Sequence, residues 1–384
     1  MKIGIVVITY NRIKCLKRLL TILNMCDYND DTPDLIISVD YSGDDQIINF
    51  SHKFEWTHGK KIVRSFEENL GLRNHVIECG KLVKNYDAIV VFEDDIVPSL
   101  YFYNYVQQAL KFYGEDEKIA GISLYKHLWN VGNYTAFNPE THPYYDTFFM
   151  QYAQSWGQVW SKRMWNEFYE WYKMNEKSFN NIDNIPDNVN NWPDSSWLKY
   201  FIRYIVEKDM YFVYPYISLS TNCGDAGTHN ASSPHYQVEL LNTKINKYHF
   251  PKLNDQAIKY DVFFERMNLK NYLNKEDICI DLYGMKKNKF KNRYYLTLDK
   301  LNYKIINSYS LSLKPIEFNI FFNIEGNDIF LYDTTEKQKN FKKNHSKEVY
   351  LKKIEYSSRG IPRKDLLNMY LNNLIQAILR KVKK

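Results

Sequence analysis

Short continuous apolar runs alternate with helically spaced apolar residues through the first third of the chain. The runs predict strands covered on both faces, because such strands have no polar side. These strands are expected at residues 3–9, 35–39, 62–63, 88–92 and 119–124. Helices are expected at about 16–23, 74–84 and 103–113. Alternating strands and helices with short connections predict an α/β fold built on a doubly wound, mostly parallel sheet.

The pattern changes in the second half of the chain. Trp165, Phe168, Trp171 and Tyr172 recur at helical spacing, which places most of these rings in the core. After Pro251 the composition shifts, and strand-like segments predict a small antiparallel β unit at 278–283, 294–298, 316–322 and 328–332. We therefore predict three regions: an α/β domain at 1–250, a β-rich or α+β region at 251–360, and a terminal helix at 361–384.

The terminal helix has an apolar stripe and a basic end. Its stripe comprises Leu366, Leu367, Tyr370, Leu371, Leu374, Ile375, Ile378, Leu379 and Val382. The chain then closes on Arg380-Lys381-Val382-Lys383-Lys384. A basic amphipathic helix suits the surface of an anionic membrane. Packing on the chain's own body or on a second subunit explains the pattern equally well.

Composition and charge narrow the class of protein. Aromatic residues make up 16% of the chain, which suits stacking on sugars but also reflects codon use in an A+T-rich genome. The net charge of +6 is concentrated towards the C-terminus, and we expect no nucleic-acid partner. No apolar run approaches the roughly 20 residues of a membrane span, and no signal peptide is recognisable. Five scattered cysteines read as reduced thiols of a cytoplasmic protein.

Polar residues follow three of the predicted strands. Asn11 and Arg12 come after the first, Asp40 after the second, and Glu93-Asp94-Asp95 after the run at 88–92. Ligands of open α/β sheets bind at these carboxyl ends. Massed carboxylates repel one another unless a cation offsets their charge, which points to Mg²⁺ or Mn²⁺ shared with a phosphate. The alternative is a solvated acidic turn that closes a core strand.

Three motifs resemble those of metal-dependent glycosyltransferases of the GT-A fold. Val7-Ile8-Thr9-Tyr10-Asn11-Arg12 looks like the opening strand and turn of the large inverting family typified by bacterial polysaccharide synthases. Val91-Phe92-Glu93-Asp94-Asp95 resembles the Asp-x-Asp motif in the Glu-Asp-Asp form of the N-acetylglucosaminyltransferases that begin complex N-glycans. Ile37-Ser38-Val39-Asp40 is similar to their uracil-binding strand end. The resemblance covers roughly residues 1 to 235.

The resemblance implies a role for each matching residue. Asp95 would ligate the metal, and Glu93 and Asp94 would hydrogen-bond the sugar or ribose of the donor. Asp40 would accept from uracil, and Arg12 would lie near the uridine or diphosphate. Further donor contacts would come from Arg73 and Asn74. From the residues themselves, Gly157 is a candidate for close backbone approach to the donor, because it stands between bulky neighbours.

The catalytic base must come from later in the chain. Asp194 lies about where the family keeps its catalytic carboxylate, although Pro193-Asp194-Ser195-Ser196-Trp197 lacks the paired acids found there. Asp225 is the reserve candidate, within a Gly-punctuated loop that could close over ligands. His229, in the same loop, is a further candidate for a phosphate or metal contact.

The sequence therefore predicts an inverting glycosyltransferase that uses a UDP-sugar and Mn²⁺ or Mg²⁺. Its acceptor would be a glycan or a lipid-linked saccharide in bacterial capsule or lipopolysaccharide synthesis, with possible contact to an anionic membrane through residues 363–384. One alternative is a sugar nucleotidyltransferase, although Thr9-Tyr10-Asn11-Arg12-Ile13 lacks the glycines of that class. Another is a non-catalytic carbohydrate-binding module.

Overall fold

The described chain forms two compact units. A computed structural model describes residues 1–225, 236–254, 256–287, 289–339 and 348–382. The first unit is Met1–Asn292 and the second is Arg293–Lys384.

The first unit is a mixed α/β structure. Its strands are β1 (Ile3–Thr9), β2 (Asp34–Val39), β3 (Lys61–Ser65), β4 (Ala88–Glu93), β5 (Ile96–Pro98), β6 (Ile119–Ser123), β7 (Trp129–Asn130), β8 (Thr135–Ala136), β9 (Thr147–Met150), β10 (Gln158–Ser161), β11 (Tyr211–Pro215), β12 (Ser220–Asn222), β13 (Lys259–Tyr260) and β14 (Ile278–Asp281). Its α-helices are α1 (Ile13–Met25), α2 (Gln46–Lys53), α3 (Gly71–Gly80), α4 (Phe102–Tyr113), α5 (Lys162–Asn175), α6 (Asp187–Asn190), α7 (Trp197–Glu207) and α8 (Leu269–Tyr272).

A nine-stranded sheet organises this unit, in the order β13-β9-β11-β6-β10-β4-β1-β2-β3. The four strands β4, β1, β2 and β3 are parallel to one another, and β10 runs antiparallel to both of its neighbours. The predicted α/β fold with a mostly parallel sheet is confirmed. Because β13 pairs with β9, residues beyond 250, where the sequence predicts a boundary, also contribute to this sheet.

The central strands form as their sequence pattern predicts. Every residue of β1 is buried, and so are Ala88 to Phe92 of β4. On α1, Leu16, Leu19, Leu20 and Leu23 are completely buried. These leucines recur at positions that share one face of a helix. The continuous apolar runs and the helical leucine stripe therefore build the core beneath the carboxyl ends of the strands.

A large aromatic cluster links the sheet to the helices on one of its faces. Trp160 of β10 lies 4.7 Å from Trp165 of α5 and 5.8 Å from Phe201 of α7, measured between ring centroids. Phe168 and Phe201 stack at 4.1 Å. Trp165, Phe168, Trp171 and Tyr172 are all buried, so the prediction that these rings belong to the core is confirmed.

The second unit contains a small antiparallel sheet, as predicted, in the order β15-β17-β16. Its elements are β15 (Tyr294–Thr297), β16 (Tyr303–Tyr309), α9 (Phe318–Phe321), β17 (Ile329–Lys337), α10 (Glu348–Ser357) and α11 (Arg363–Val382). On α11, large apolar side chains are exposed at Leu367, Met369, Tyr370, Leu371, Leu374, Ile375, Ile378 and Leu379. Within the described residues, no helix combines the length and apolarity needed to cross a membrane.

The strand predicted at 316–322 is wrong, because this segment contains the short helix α9. Strand-like composition suggested the strand, but the polar Asn319 within the segment is completely buried. Its side-chain oxygen accepts from the backbone N–H groups of Ser312 and Leu313, and its Nδ2 donates to the carbonyls of Leu313 and Ile316. These local bonds hold a compact turn, which a strand ladder cannot satisfy at the same time.

We expect Trp160→Ala to destabilise the first unit by about 3–5 kcal/mol, because it leaves a cavity among packed rings. Urea denaturation followed by circular dichroism measures this loss. Trp129→Ala is the matched control, since Trp129 is 45% exposed and its truncation should have little effect. Equal losses in the two variants would contradict the proposed role of the cluster.

Candidate functional site

A cavity of about 470 Å³ lies at the carboxyl ends of β1, β2 and β4. Residues at or just after the ends of these strands line one part of it: Thr9, Asn11, Arg12, Asp40, Glu93, Asp94 and Asp95. Residues from later in the chain also contribute to the lining, among them Trp156, Ser195, Asn222, Asp225 and Tyr236. The strand ends that the sequence analysis singled out therefore meet at one cavity, where an α/β sheet binds its ligands.

Strand register brings the polar groups together. Thr9 of β1 is opposite Val39 of β2, and Ile8 is opposite Glu93 of β4. The next residues along β2 and β4, Asp40 and Asp94, consequently flank Thr9. The Asp40 N–H donates to the Thr9 carbonyl at 3.0 Å, and the Thr9 hydroxyl donates to Asp94 Oδ2 at 2.7 Å.

Arg12 offsets part of the negative charge of the acidic turn after β4. Its guanidinium forms ion pairs with Asp94 Oδ1 and, at 2.8 Å, with Asp95 Oδ2. Burial raises the pKa of Asp94 to about 6, and the Arg12 charge offsets part of this effect. Burial and the Asp95 charge also raise the pKa of the neighbouring Glu93 well above its usual range. The turn is therefore a desolvated acidic group that needs a cation.

The turn also fits a divalent cation, with Asp95 as its protein ligand. Asp95 Oδ1 is buried and has no hydrogen-bond partner among the described residues, and carboxylate oxygen is the ligand type that Mg²⁺ and Mn²⁺ prefer. Among the described residues, no group of three or more His, Cys, Asp or Glu side chains is arranged to hold a metal. Such an ion would therefore need oxygens from a bound phosphate or water as well, which is typical of Mg²⁺ sites.

Asp40 organises the loop before α3. Its carboxylate accepts from the backbone N–H groups of Tyr41 and Leu70 at 2.9 Å and of Gly71 at 3.1 Å. Gly71 has φ +72°, a conformation that a residue with a Cβ rarely adopts. Asp40 thus fixes the start of α3, while its side chain also borders the cavity.

Pairing of β5 with β12 carries Asp225 to the acidic turn. Ile96, directly after Asp95, is opposite Asn222, and the Cys223 N–H donates to the Asp95 carbonyl at 3.1 Å. Both terminal nitrogens of Arg18 contact the Asp225 carboxylate. This hydrogen-bonded ion pair lowers the pKa of Asp225 below its ordinary value.

Asp194 lies outside the cavity lining, whereas its neighbour Ser195 contributes to it. The Asp194 side chain is 48% exposed and faces Lys199 Nζ at 3.3 Å. Hydrogen bonding to Ser178 and then to Lys199 lowers the pKa of Asp194. The role of Asp194 as a base stays a prediction. None of the Asp194 contacts described involves the acidic turn.

The remaining predicted site residues have structural partners. Arg73 donates to the Asp194 carbonyl at 3.0 Å and to the Tyr200 hydroxyl at 2.7 Å, and Asn74 donates to the Leu70 carbonyl. Gly157 has φ +93°, and a Cβ there would lie 2.8 Å from Ser220 Oγ. None of these three residues is part of the cavity lining. His229 lies outside the described residues.

Sequence reasoning missed several lining residues. Thr9 stood in the quoted motif, but only strand register shows that it bonds Asp94. Trp156 preceded the singled-out Gly157, so its place in the chain was a usable signal. Tyr236 and Asn222 carried no signal of their own, because only the fold of later segments brings them to the cavity.

Comparisons with known proteins give no family assignment. No protein-family model matches the chain, and no curated protein sequence matches it. Among solved structures, residues 1–349 of S. aureus TarS in complex with UDP align at 13% identity and a TM-score of 0.35, covering 56% of this chain and 57% of TarS 1–349. The mannosyltransferase PcManGT from Pyrobaculum calidifontis, in complex with GDP-Man and Mn²⁺, aligns at 14% identity and a TM-score of 0.31, covering 44% of this chain and 46% of PcManGT.

We expect Asp40→Asn to destabilise the first unit by about 1–3 kcal/mol, because a neutral amide oxygen replaces a charged acceptor of several N–H bonds. Chemical denaturation measures the loss, and hydrogen exchange at the Leu70 and Gly71 amides should accelerate. Asp44→Asn is the control, since the side chain of the exposed Asp44 accepts from the Gln46 N–H alone among the contacts described. Unchanged exchange at Leu70 and Gly71 in Asp40→Asn would contradict this role.

Proposed function

We propose that the chain is a metal-dependent, inverting glycosyltransferase of the GT-A type that uses a UDP-sugar. One observation carries this proposal: Arg12, Asp40, Asp94 and Asp95 converge on one cavity at the carboxyl edge of parallel strands. A nucleotide diphosphate needs cations at its phosphates and fixed polar groups at its nucleoside. The strand ends supply both kinds of group within one site.

The position of each residue would determine which part of the nucleotide-sugar it contacts. Asp95 would hold Mg²⁺ or Mn²⁺, which stabilises the charge that develops on the leaving diphosphate. Arg12 would exchange its ion pairs with the carboxylates for contact with that diphosphate. Asp40 would accept from the uracil ring, and Glu93 and Asp94 would face the ribose or sugar.

For the base we favour Asp225 over Asp194. Inversion needs a carboxylate that removes the proton of the acceptor hydroxyl from within hydrogen-bond reach. Asp225 borders the cavity and lies on the loop tied to Asp95 through the Cys223 backbone. Since its ion pair with Arg18 lowers its basicity, release from Arg18 would have to accompany acceptor binding.

The acceptor would be a glycan or lipid-linked saccharide of a bacterial capsule or lipopolysaccharide, met in the cytoplasm at the inner face of the membrane. The two alternatives have less support. A sugar nucleotidyltransferase would need glycines in the loop after β1, and Tyr10-Asn11-Arg12 has none. A non-catalytic carbohydrate-binding module would not need desolvated carboxylates at a strand end.

The proposal predicts Mn²⁺-dependent binding of UDP that requires Asp95. We expect UDP with Mn²⁺ to raise the Tm of the wild-type protein, and Asp95→Asn to weaken this binding at least about tenfold, because it removes a charged ligand of the metal. Thermal denaturation monitored by circular dichroism measures the Tm shift, and isothermal titration calorimetry with UDP, in the presence and absence of Mn²⁺, measures the loss of affinity.

Asp209→Asn is the control for this experiment. The Asp209 side chain is 65% exposed and pairs with Lys118, outside the cavity lining. The affinity of the Asp209→Asn variant for UDP should therefore match that of the wild type. A wild-type protein that binds no UDP would contradict the proposal. If UDP does bind, hydrolysis of a UDP-sugar by the wild type would distinguish an enzyme from a binding module.

We propose further that α11 contacts an anionic membrane. Large apolar side chains on α11 are exposed in the structure, and basic residues occupy both ends of the segment in the sequence. Arg363 and Lys364 begin it, and Arg380, Lys381, Lys383 and Lys384 follow at its end. This charge complements anionic headgroups while the apolar stripe enters the acyl boundary.

Leu374→Asp should reduce binding of the full chain to vesicles of phosphatidylglycerol and phosphatidylcholine by about tenfold, because it places a charge in the apolar stripe. Asn373→Asp adds the same charge at the neighbouring exposed position, away from the stripe, and should bind nearly as well as the wild type. Vesicle flotation measures the bound fraction. Equal binding to pure phosphatidylcholine vesicles, or a Leu374→Asp defect only in self-association, would contradict the proposal.

A further inference from the structure

Two aromatic rings border the cavity beside the acidic turn. Trp156 and Tyr236 are both partly exposed, and their ring centroids lie 5.0 Å apart at an interplanar angle of 34°. Tyr125 supports both residues from the buried side. Its ring meets Trp156 edge-on at 4.8 Å, and its hydroxyl donates to the Tyr236 carbonyl at 2.9 Å. We call the pair Trp156 and Tyr236 the aromatic wall.

The backbone of Trp156 is fixed on both sides. Its N–H donates to the side chain of Gln154, and its carbonyl accepts from the Ser220 hydroxyl at 2.5 Å. Close approach of Ser220 requires Gly157, because a Cβ at Gly157 would collide with that hydroxyl. Ser220 belongs to β12, the strand that pairs with β5 directly after the acidic turn. These contacts therefore fix the position of the wall relative to the carboxylates without a bound ligand.

Sheet order places the wall on the side of β4 away from Asp40. Trp156 lies directly before β10, which borders β4 on one side, whereas β1 and then β2 with Asp40 lie on the other. Because β10 runs antiparallel to β4, its start lies at the carboxyl end of β4. A nucleoside held at Asp40, with its diphosphate held through a cation at Asp95, would therefore leave the wall for a different group.

The chemistry of the wall suits a sugar ring. Aromatic rings present apolar faces at low entropy cost, and a pyranose has one face of C–H groups that packs against them. Ser195 and Asn222 add uncharged hydrogen-bonding groups to the same cavity, which suit sugar hydroxyls. We infer that the aromatic wall binds the terminal sugar ring of the acceptor saccharide. This inference rests on the proposed glycosyl transfer and assigns the acceptor side of that site.

Saturation-transfer difference NMR tests the inference with full-length protein, saturating UDP and Mn²⁺. The probes are the methyl β-glycosides of glucose, galactose and N-acetylglucosamine. We expect signal from the ring protons of at least one glycoside with the wild type. Trp156→Ala and Tyr236→Ala should each weaken that glycoside's affinity at least fivefold, and Trp156→Phe should restore part of it because a ring returns.

Two further measurements make the result decisive. Trp129→Ala removes an exposed tryptophan outside the cavity lining and should leave glycoside affinity unchanged. UDP affinity of Trp156→Ala should remain within twofold of the wild type, which also shows that the variant folds. A parallel loss of UDP affinity would assign the ring to the nucleotide and overturn the inference.

Two further outcomes separate this inference from the proposed function. Wild-type protein that fails to bind UDP contradicts the proposed function itself. Wild-type protein that binds UDP, but binds none of the glycosides or binds them as well after Trp156→Ala, contradicts the aromatic wall alone.

Discussion

The site depends on one electrostatic constraint: buried carboxylates at the end of β4 must meet a cation. Asp94 is 2% exposed and Asp95 8% exposed, so neither charge is well solvated. Arg12 bridges the two, and Thr9 donates a hydrogen bond to Asp94. Removing one partner from such a group leaves an uncompensated charge, which costs more than a lost surface contact. The ends of β1 and β4 are therefore joined by these ion pairs and this hydrogen bond, in addition to the pairing of the two strands.

A short pair of strands extends this arrangement into the second half of the first unit. β5 follows the acidic turn at once, and β12 pairs with it antiparallel. Asp225 follows β12 and so lines the same cavity as the acidic turn. The hydroxyl of Ser220, also in β12, holds the Trp156 carbonyl at this cavity. A three-residue strand thus decides which later side chains can reach the cavity. This explains why the cavity has a charged part from the parallel strands and a largely uncharged, aromatic part from the later loops.

Local patterns determined much of the first unit. Continuous apolar runs become strands when they are buried on both faces, and this is a property of a few adjacent residues. The same holds for the leucine stripe of α1. Local pattern misled at 316–322, where Asn319 satisfies nearby backbone groups and holds a turn in place of the predicted strand. The hydrogen bonds of one buried polar side chain outweighed the strand-like composition of its neighbours.

By itself the sequence determined that Arg12, Asp40 and the Glu93-Asp94-Asp95 triplet meet at one sheet edge, because parallel strands place their carboxyl ends together. Only the tertiary structure decided the partners of these groups. Arg12 bridges two carboxylates, and Asp40 caps the start of α3 as well as bordering the cavity. Asp225 and Trp156 reach the site through pairing between strands more than 100 residues apart, and no local spacing encodes that contact.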